Sequence, residues 1–242
     1  MSCVKRLVIA GVLIIDAGAA LAADMPGEMP PPVLSPPPPL ILNYGWYLRG
    51  DVGYAWGVTG GAQSAPGYAD PTDNHLSSGF LGGAGAGIKS RWLRTDITFD
   101  YTSPLKYTGT VTTPDDTTAK VTALTALFNG YVDLGTWYNF TPFIGGGLGA
   151  AQIRVSDFAS TGAPPFVPGL SQTQYNFAWA LMAGIDYTVA PNIVVEAGYR
   201  YVNFGDVTTA SDALGSMTLK NIAAHEVRVG FRWSFDDLSL VR

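Results

Sequence analysis

Leu93-Arg94-Thr95-Asp96-Ile97-Thr98-Phe99-Asp100-Tyr101 is the stretch that decides the fold. Side chains alternate across a β-strand, so Leu93, Ile97, Phe99 and Tyr101 share one face and Arg94, Asp96, Thr98 and Asp100 the other. One face is apolar and aromatic, and the other is charged. The same division recurs outward in both directions. Trp46, Leu48, Val52, Tyr54 and Trp56 oppose Arg49 and Asp51, while Tyr175, Phe177, Trp179, Leu181, Ile185 and Tyr187 oppose Asn176, Met182, Asp186 and Thr188. Ile193, Val195, Tyr199 and Tyr201 oppose Glu196 and Arg200, and Val227, Val229, Phe231, Trp233 and Phe235 oppose Glu226, Arg228, Arg232 and Ser234. Further strands are expected over about 79–89, 121–134 and 140–155. In the last of these the alternation slips near Ala150, the signature expected of a bulge. The total is about eight strands.

Their connections alternate in length. Residues 90–92, 135–139 and 189–192 are short, whereas 59–77, 102–119, 156–173 and 204–222 are long, polar and rich in Gly, Pro and Thr. Short turns at one end and long loops at the other predict an all-β, eight-stranded antiparallel up-and-down barrel that crosses a membrane. Trp46, Trp92, Trp137, Trp233 and Phe235 all fall at the short-turn end, where an interfacial aromatic girdle belongs.

Composition agrees. Hydrophobic residues make up 47% of the chain but charged ones only 14%, and 29 glycines and 12% aromatics complete the picture. A soluble domain usually carries about a quarter charged residues. Outside the N-terminus no run supplies the roughly 20 apolar residues of a membrane helix, which leaves the closed barrel as the way to satisfy the backbone in lipid. A soluble barrel would turn the apolar face inward, crowding aromatics from nearly every strand into a bore only just wide enough for side chains. With the apolar face in lipid instead, Lys or Arg in that band would cost about 2–4 kcal/mol each at mid-depth, and the strands avoid them except for Arg154 near a loop end.

The N-terminus has the plan of an export signal: Lys5 and Arg6, an apolar run from Leu7 to Ile15, then Ala20-Leu21-Ala22 before a cleavage point after Ala22. Asp16 is unusual there; the alternative, an N-terminal anchor helix, needs a longer run. Residues 23–43 follow as a Pro-rich periplasmic linker of polyproline II character, with a binding segment as the sharper alternative. The barrel is expected over 44–235 and a C-terminal extension over 236–242. Cys3, the single cysteine, falls in the removed segment, so neither a disulfide nor a Cys-ligated zinc site is expected.

The inward charges are the most informative constellation. Arg49, Lys89, Arg94, Arg200, Arg228 and Arg232 stand against Asp51, Asp96, Asp100, Asp133, Asp186, Glu196 and Glu226. Near balance inside a narrow bore predicts mutual neutralisation, because an unpaired buried charge is costly. Glu196 and Arg232, on adjacent strands at similar depth, are the first pair expected. An ion or proton path is the alternative use of the same charges. The glycine runs 82–87 and 145–149 match no phosphate-loop spacing and are expected to relieve crowding within strands. With only His75 and His225 available, and no serine beside His225, an acyl-transfer site is not expected. Asp115-Asp116 does not make a calcium loop. No catalytic, metal or cofactor residues are therefore assigned, and with a net charge of -5 and no basic run, nucleic acid is not an expected partner.

At Trp46-Tyr47-Leu48-Arg49-Gly50-Asp51-Val52-Gly53-Tyr54 and at Val227-Arg228-Val229-Gly230-Phe231-Arg232-Trp233-Ser234-Phe235 the chain resembles a known family. These are the small outer-membrane β-barrel proteins of Gram-negative bacteria, of the opacity-antigen and outer membrane protein A transmembrane-domain type. The likeness covers about residues 44–235. It implies residence in the bacterial outer membrane, among its lipids and lipopolysaccharide, and insertion by the barrel-assembly machinery, which reads a terminal aromatic such as Phe235. Here Asp236 to Arg242 follow that residue. The resemblance implies a structural surface protein, a narrow porin-like channel or an adhesin acting through long extracellular loops. The filled bore favours the first, a non-enzymatic barrel contributing to outer-membrane integrity. No residue names a small-molecule ligand.

Overall fold

In the computed structural model, residues 45–64, 70–112, 115–160, 171–208 and 217–235 are described. The expected export signal, Cys3, the Pro-rich linker and the C-terminal extension lie outside them. The strands are β1 (Gly45–Val58), β2 (Gly61–Gln63), β3 (Thr72–Leu76), β4 (Ser78–Ser90), β5 (Leu93–Thr112), β6 (Asp115–Asp133), β7 (Phe140–Ser160), β8 (Gln172–Ala190), β9 (Ile193–Thr208) and β10 (Thr218–Ser234).

Eight of these form the wall in the order β1-β4-β5-β6-β7-β8-β9-β10, all antiparallel, and β1 pairs with β10 to close it. Closure leaves no open edge, which is what makes the sheet tolerable in lipid. β2 continues the β1 ladder against β10 through Leu219↔Ala62, and β3 continues the β4 ladder against β5 through Leu76↔Tyr107. The first long link is thus built into the wall for part of its length.

β5, β6, β7 and β8 are 20, 19, 21 and 19 residues long. A tilted membrane strand needs only about 9–11. The wall therefore stands well clear of the bilayer on the long-loop side. Most of 102–119, expected as a loop, is hairpin: β5 runs to Thr112 and β6 starts at Asp115. Its Thr residues, Thr102, Thr108 and Thr110 among them, favour a pleated backbone.

Register shifts recur where the wall leaves the apolar band: between Thr102 and Leu105, between Thr118 and Lys120, and around Ile222 opposite Gly205. Gly205 has φ +74° and Asn221 +47°, as bulged strands require. The bulge expected near Ala150 is absent. β7 pairs with β8 without interruption from Phe140↔Tyr187 to Val155↔Gln172. The apparent slip arose because Ile153 and Val155 point inward while Arg154 points outward. The alternation is intact and its polarity reverses.

On the outside, Val52 is 67% exposed, Phe80 73%, Phe128 60%, Leu148 59% and Phe177 65%, a continuous apolar belt that only lipid can cover. Below the belt, Trp46, Trp92, Trp137, Trp233 and Phe235 are all exposed at the short-turn end. The Phe235 backbone N–H donates to Trp46 O at 3.0 Å, joining the two ends of the described wall.

Candidate functional site

The interior of the barrel holds the polar groups the sequence singles out, and it is built in two layers. Towards the short turns lies an ionic layer. Arg94 at the start of β5 reaches Asp133 of β6 at 2.8 Å, with Asp186 and Glu196 each at 3.5 Å. Lys89 also meets Asp133 at 2.8 Å. Arg232 bonds Asp186 at 2.5 Å and Glu196 at 3.1 Å; Arg49 bonds Glu196 at 2.8 Å, Asp96 at 3.1 Å and Asp51 at 3.5 Å. Higher in the bore, Arg200 bridges Glu226 at 2.6 Å and Asp100 at 2.8 Å, while Arg228 pairs with Asp51 and Asp100 and lies 3.4 Å from Glu226. All thirteen charges assigned inward take part in this mesh, Glu196 with Arg232 among them. Arg94 and Glu226 are fully buried.

Several neutral residues complete the layer and were not singled out in the sequence. The Tyr47 hydroxyl donates to Asp96 at 2.9 Å, and Asn129 Nδ2 donates to the other Asp96 oxygen at 2.8 Å. Arg49 Nη1 donates to the Tyr131 hydroxyl at 2.8 Å. The Arg94 guanidinium lies 4.9 Å from the Tyr131 ring centre and 4.7 Å from that of Phe143, a cation–π sandwich that suits a desolvated arginine. The signal for them was available: Tyr47 alternates with Arg49, and Asn129 and Tyr131 alternate with Asp133.

The glycine runs make room for this mesh. A Cβ at Gly83 would collide with the Asp100 carboxylate and come within 3.0 Å of Arg228 Nη2; one at Gly147 would collide with the Asn129 amide.

Above the ionic layer the bore turns apolar. Leu105, Val121, Ile153, Val155, Val202, Phe204, Leu219 and Ile222 point inward and are at most 5% exposed, with Leu76 of β3 capping them. Tyr107 sits among them, its hydroxyl donating to Asn74; burial pushes its pKa up to about 12. Two small cavities lie within the bore, one of about 20 Å³ beside Arg49, Glu196 and Arg228 and one of about 10 Å³ among Leu105, Ile153 and Phe204. The first could take a single water, and the second is at the lower bound for one.

The two histidines are not brought together. His75 is exposed on β3, whereas His225 Nδ1 is hydrogen-bonded to the Tyr199 hydroxyl on the outer face of β10. Among the described residues no group of three His, Cys, Asp or Glu side chains could hold a metal ion.

Apolar belt, ionic bore, aromatic girdle and closed antiparallel wall define a transmembrane β-barrel. The family model "Outer membrane protein beta-barrel domain" matches residues 43–235, and the chain belongs to that family of bacterial outer-membrane proteins. An uncharacterised protein of Brucella abortus is 33% identical over 233 residues, covering 83% of this chain and 81% of that protein. A candidate adhesin of Rickettsia conorii is 28% identical over 207 residues, covering 78% of this chain and 81% of that protein. Among solved structures, Neisserial surface protein A aligns with 79% of this chain and 97% of its own at 23% identity and a TM-score of 0.45.

Proposed function

We propose that this protein is a non-conducting, non-enzymatic structural barrel of the outer membrane that contributes to its integrity, with the surrounding lipids and lipopolysaccharide as its partners. The supporting observation is the double filling of the bore. An ion crossing it must first break a mesh of buried ion pairs and then enter an apolar layer. Parting one buried pair costs about 3–5 kcal/mol. The apolar layer refuses the ion any compensating ligand. Planar-bilayer recording on the purified barrel tests this: no steady current is expected, and a steady, ion-selective current overturns the proposal.

A second reading, that of an adhesin, is favoured by one observation beyond the filled bore. The described strands run far past the bilayer on the long-loop side, and the Rickettsia relative carries an adhesin designation. Shortening the β5–β6 hairpin to its membrane portion is expected to abolish binding of whole cells to a host surface if this role is real. Unchanged binding removes it.

A further inference from the structure

Where the wall emerges from the apolar belt, its outer face is charged unevenly. Lys106 on β5, Lys120 on β6 and Arg154 on β7 all point outward and are exposed. Lys106 and Lys120 are direct cross-strand partners, and Arg154 faces Thr122, one alternation along from Lys120. Like charges set opposite each other in an antiparallel ladder destabilise it. Among the described residues one of the three is paired: Lys120 Nζ lies 2.8 Å from Asp157. Among the described residues, Lys106 and Arg154 make no ion pair. The opposite side of the barrel differs, since Lys220 there is matched by Asp206 at 3.2 Å.

Position says what the excess positive charge faces. Lys106 stands thirteen residues along β5 from Leu93, Arg154 fourteen along β7 from Phe140, and Lys120 thirteen back along β6 from Asp133. Each therefore lies just past the 9–11 residues that cross the hydrocarbon. The outward residues leading up to them are Tyr101 and Pro104 on β5, Leu124 and Thr122 on β6, and Gln152 on β7, with Gln152 Nε2 donating to the Tyr175 hydroxyl at 3.1 Å. That is a polar–aromatic boundary. On the long-loop, extracellular side, this level holds the headgroups of the outer leaflet, where anionic lipid attracts surface Lys and Arg.

We infer that Lys106, Lys120 and Arg154 form a cationic site on the lipid-facing wall that holds the phosphate groups of a phosphorylated outer-leaflet glycolipid. The site deepens the structural reading above: it would fix this barrel to its surrounding lipid and order that lipid on one side.

The test uses the folded chain in detergent micelles, with bisphosphorylated lipid A as the probe and retention measured by native mass spectrometry. The wild type is expected to retain it, and the Lys106→Gln/Lys120→Gln/Arg154→Gln variant to bind roughly tenfold more weakly or worse. Asp206→Asn/Lys220→Gln, on the opposite side, is expected to leave retention unchanged. Heat-modifiable migration on a denaturing gel verifies folding. Should the triple variant not fold, Lys106→Gln and Arg154→Gln alone are each expected to weaken retention about two- to fivefold. Unchanged retention by folded variants overturns the site, as does equal retention of dephosphorylated lipid A. Displacement by millimolar inorganic phosphate would make it a free-phosphate site and refute the lipid assignment. A steady bilayer current would refute the sealed bore and leave this site standing.

Discussion

The lower and upper parts of this barrel are made from the same strands and obey opposite rules. On β7, Leu148 faces lipid while Gly147 makes room for the ionic mesh; a few residues on, Arg154 faces outward while Ile153 and Val155 fill the bore. On β5 the change falls between Asp100 inside Phe99 and Leu105 beside Lys106. Polarity follows the surroundings of each segment. In the bilayer the apolar face must look outward and the bore is left to charges that pair with one another. Beyond the bilayer, water covers the outer face and the bore becomes an ordinary hydrophobic core.

The two layers should therefore respond differently to the same kind of damage. Glu226 is fully buried and accepts from Arg200, so Glu226→Ala leaves that guanidinium half-paired. A loss of about 3–5 kcal/mol is expected in denaturant unfolding from lipid vesicles. Replacing both partners, as in Arg200→Met/Glu226→Leu, is expected to lie closer to the wild type than the single variant, because Asp100 and Arg228 still pair with each other. A double variant worse than the sum of both singles would contradict a self-satisfied ionic layer.

The outer face gives the next largest contrast. Leu148→Arg, at mid-belt, is expected to lose about 2–4 kcal/mol, whereas Thr173→Arg, beyond the belt but directly opposite Arg154, should lose no more than about 1 kcal/mol. In the apolar layer, Ile153→Val should cost about 0.5–1.5 kcal/mol, the ordinary price of one methylene in a packed core. If Ile153 lined a hydrated channel, the substitution would be neutral.

The smallest effect is a pH dependence. Tyr107 titrates at about 12 because burial disfavours its phenolate. Its folded pKa lies above the ordinary value near 10. Its contribution to stability is thus fully present below about pH 10 and is lost as pH rises through about 12. Ultraviolet titration should show a tyrosine ionising at about pH 12 that Tyr107→Phe removes. Ionisation of Tyr107 near the ordinary value of about 10 would place it in water.

Much of this was legible in the residues. Period-two alternation fixes which side chains share a face, so the thirteen inward charges, the lipid-facing aromatics and the tryptophans of the short-turn end could be assigned without coordinates. Three things could not. The height at which the wall leaves the bilayer depends on tilt and shear, which no single strand encodes. Without that height, Thr-rich strand text such as 106–112 looks like loop, and inward Ile153 and Val155 look like a slipped register. The neutral residues Tyr47, Asn129 and Tyr131 share the inward face with Arg49 and Asp133, but which groups they reach across the bore follows only from closure. The outward cations on β5, β6 and β7 lie far apart in the chain, and their neighbourhood appears only with the strand register.

Spin-label accessibility in lipid vesicles tests the reversal of polarity most directly. Single cysteines introduced at Phe128, Leu148, Thr122, Thr173 and Ile153 would each carry a nitroxide, relaxed either by oxygen, which concentrates in lipid, or by a water-soluble nickel complex. The labels at 128 and 148 should respond to oxygen, those at 122 and 173 to nickel, and the one at 153 to neither. Oxygen-dominated relaxation at 122 and 173, or nickel reaching 153, would contradict a barrel that is inside-out in the membrane and core-filled above it.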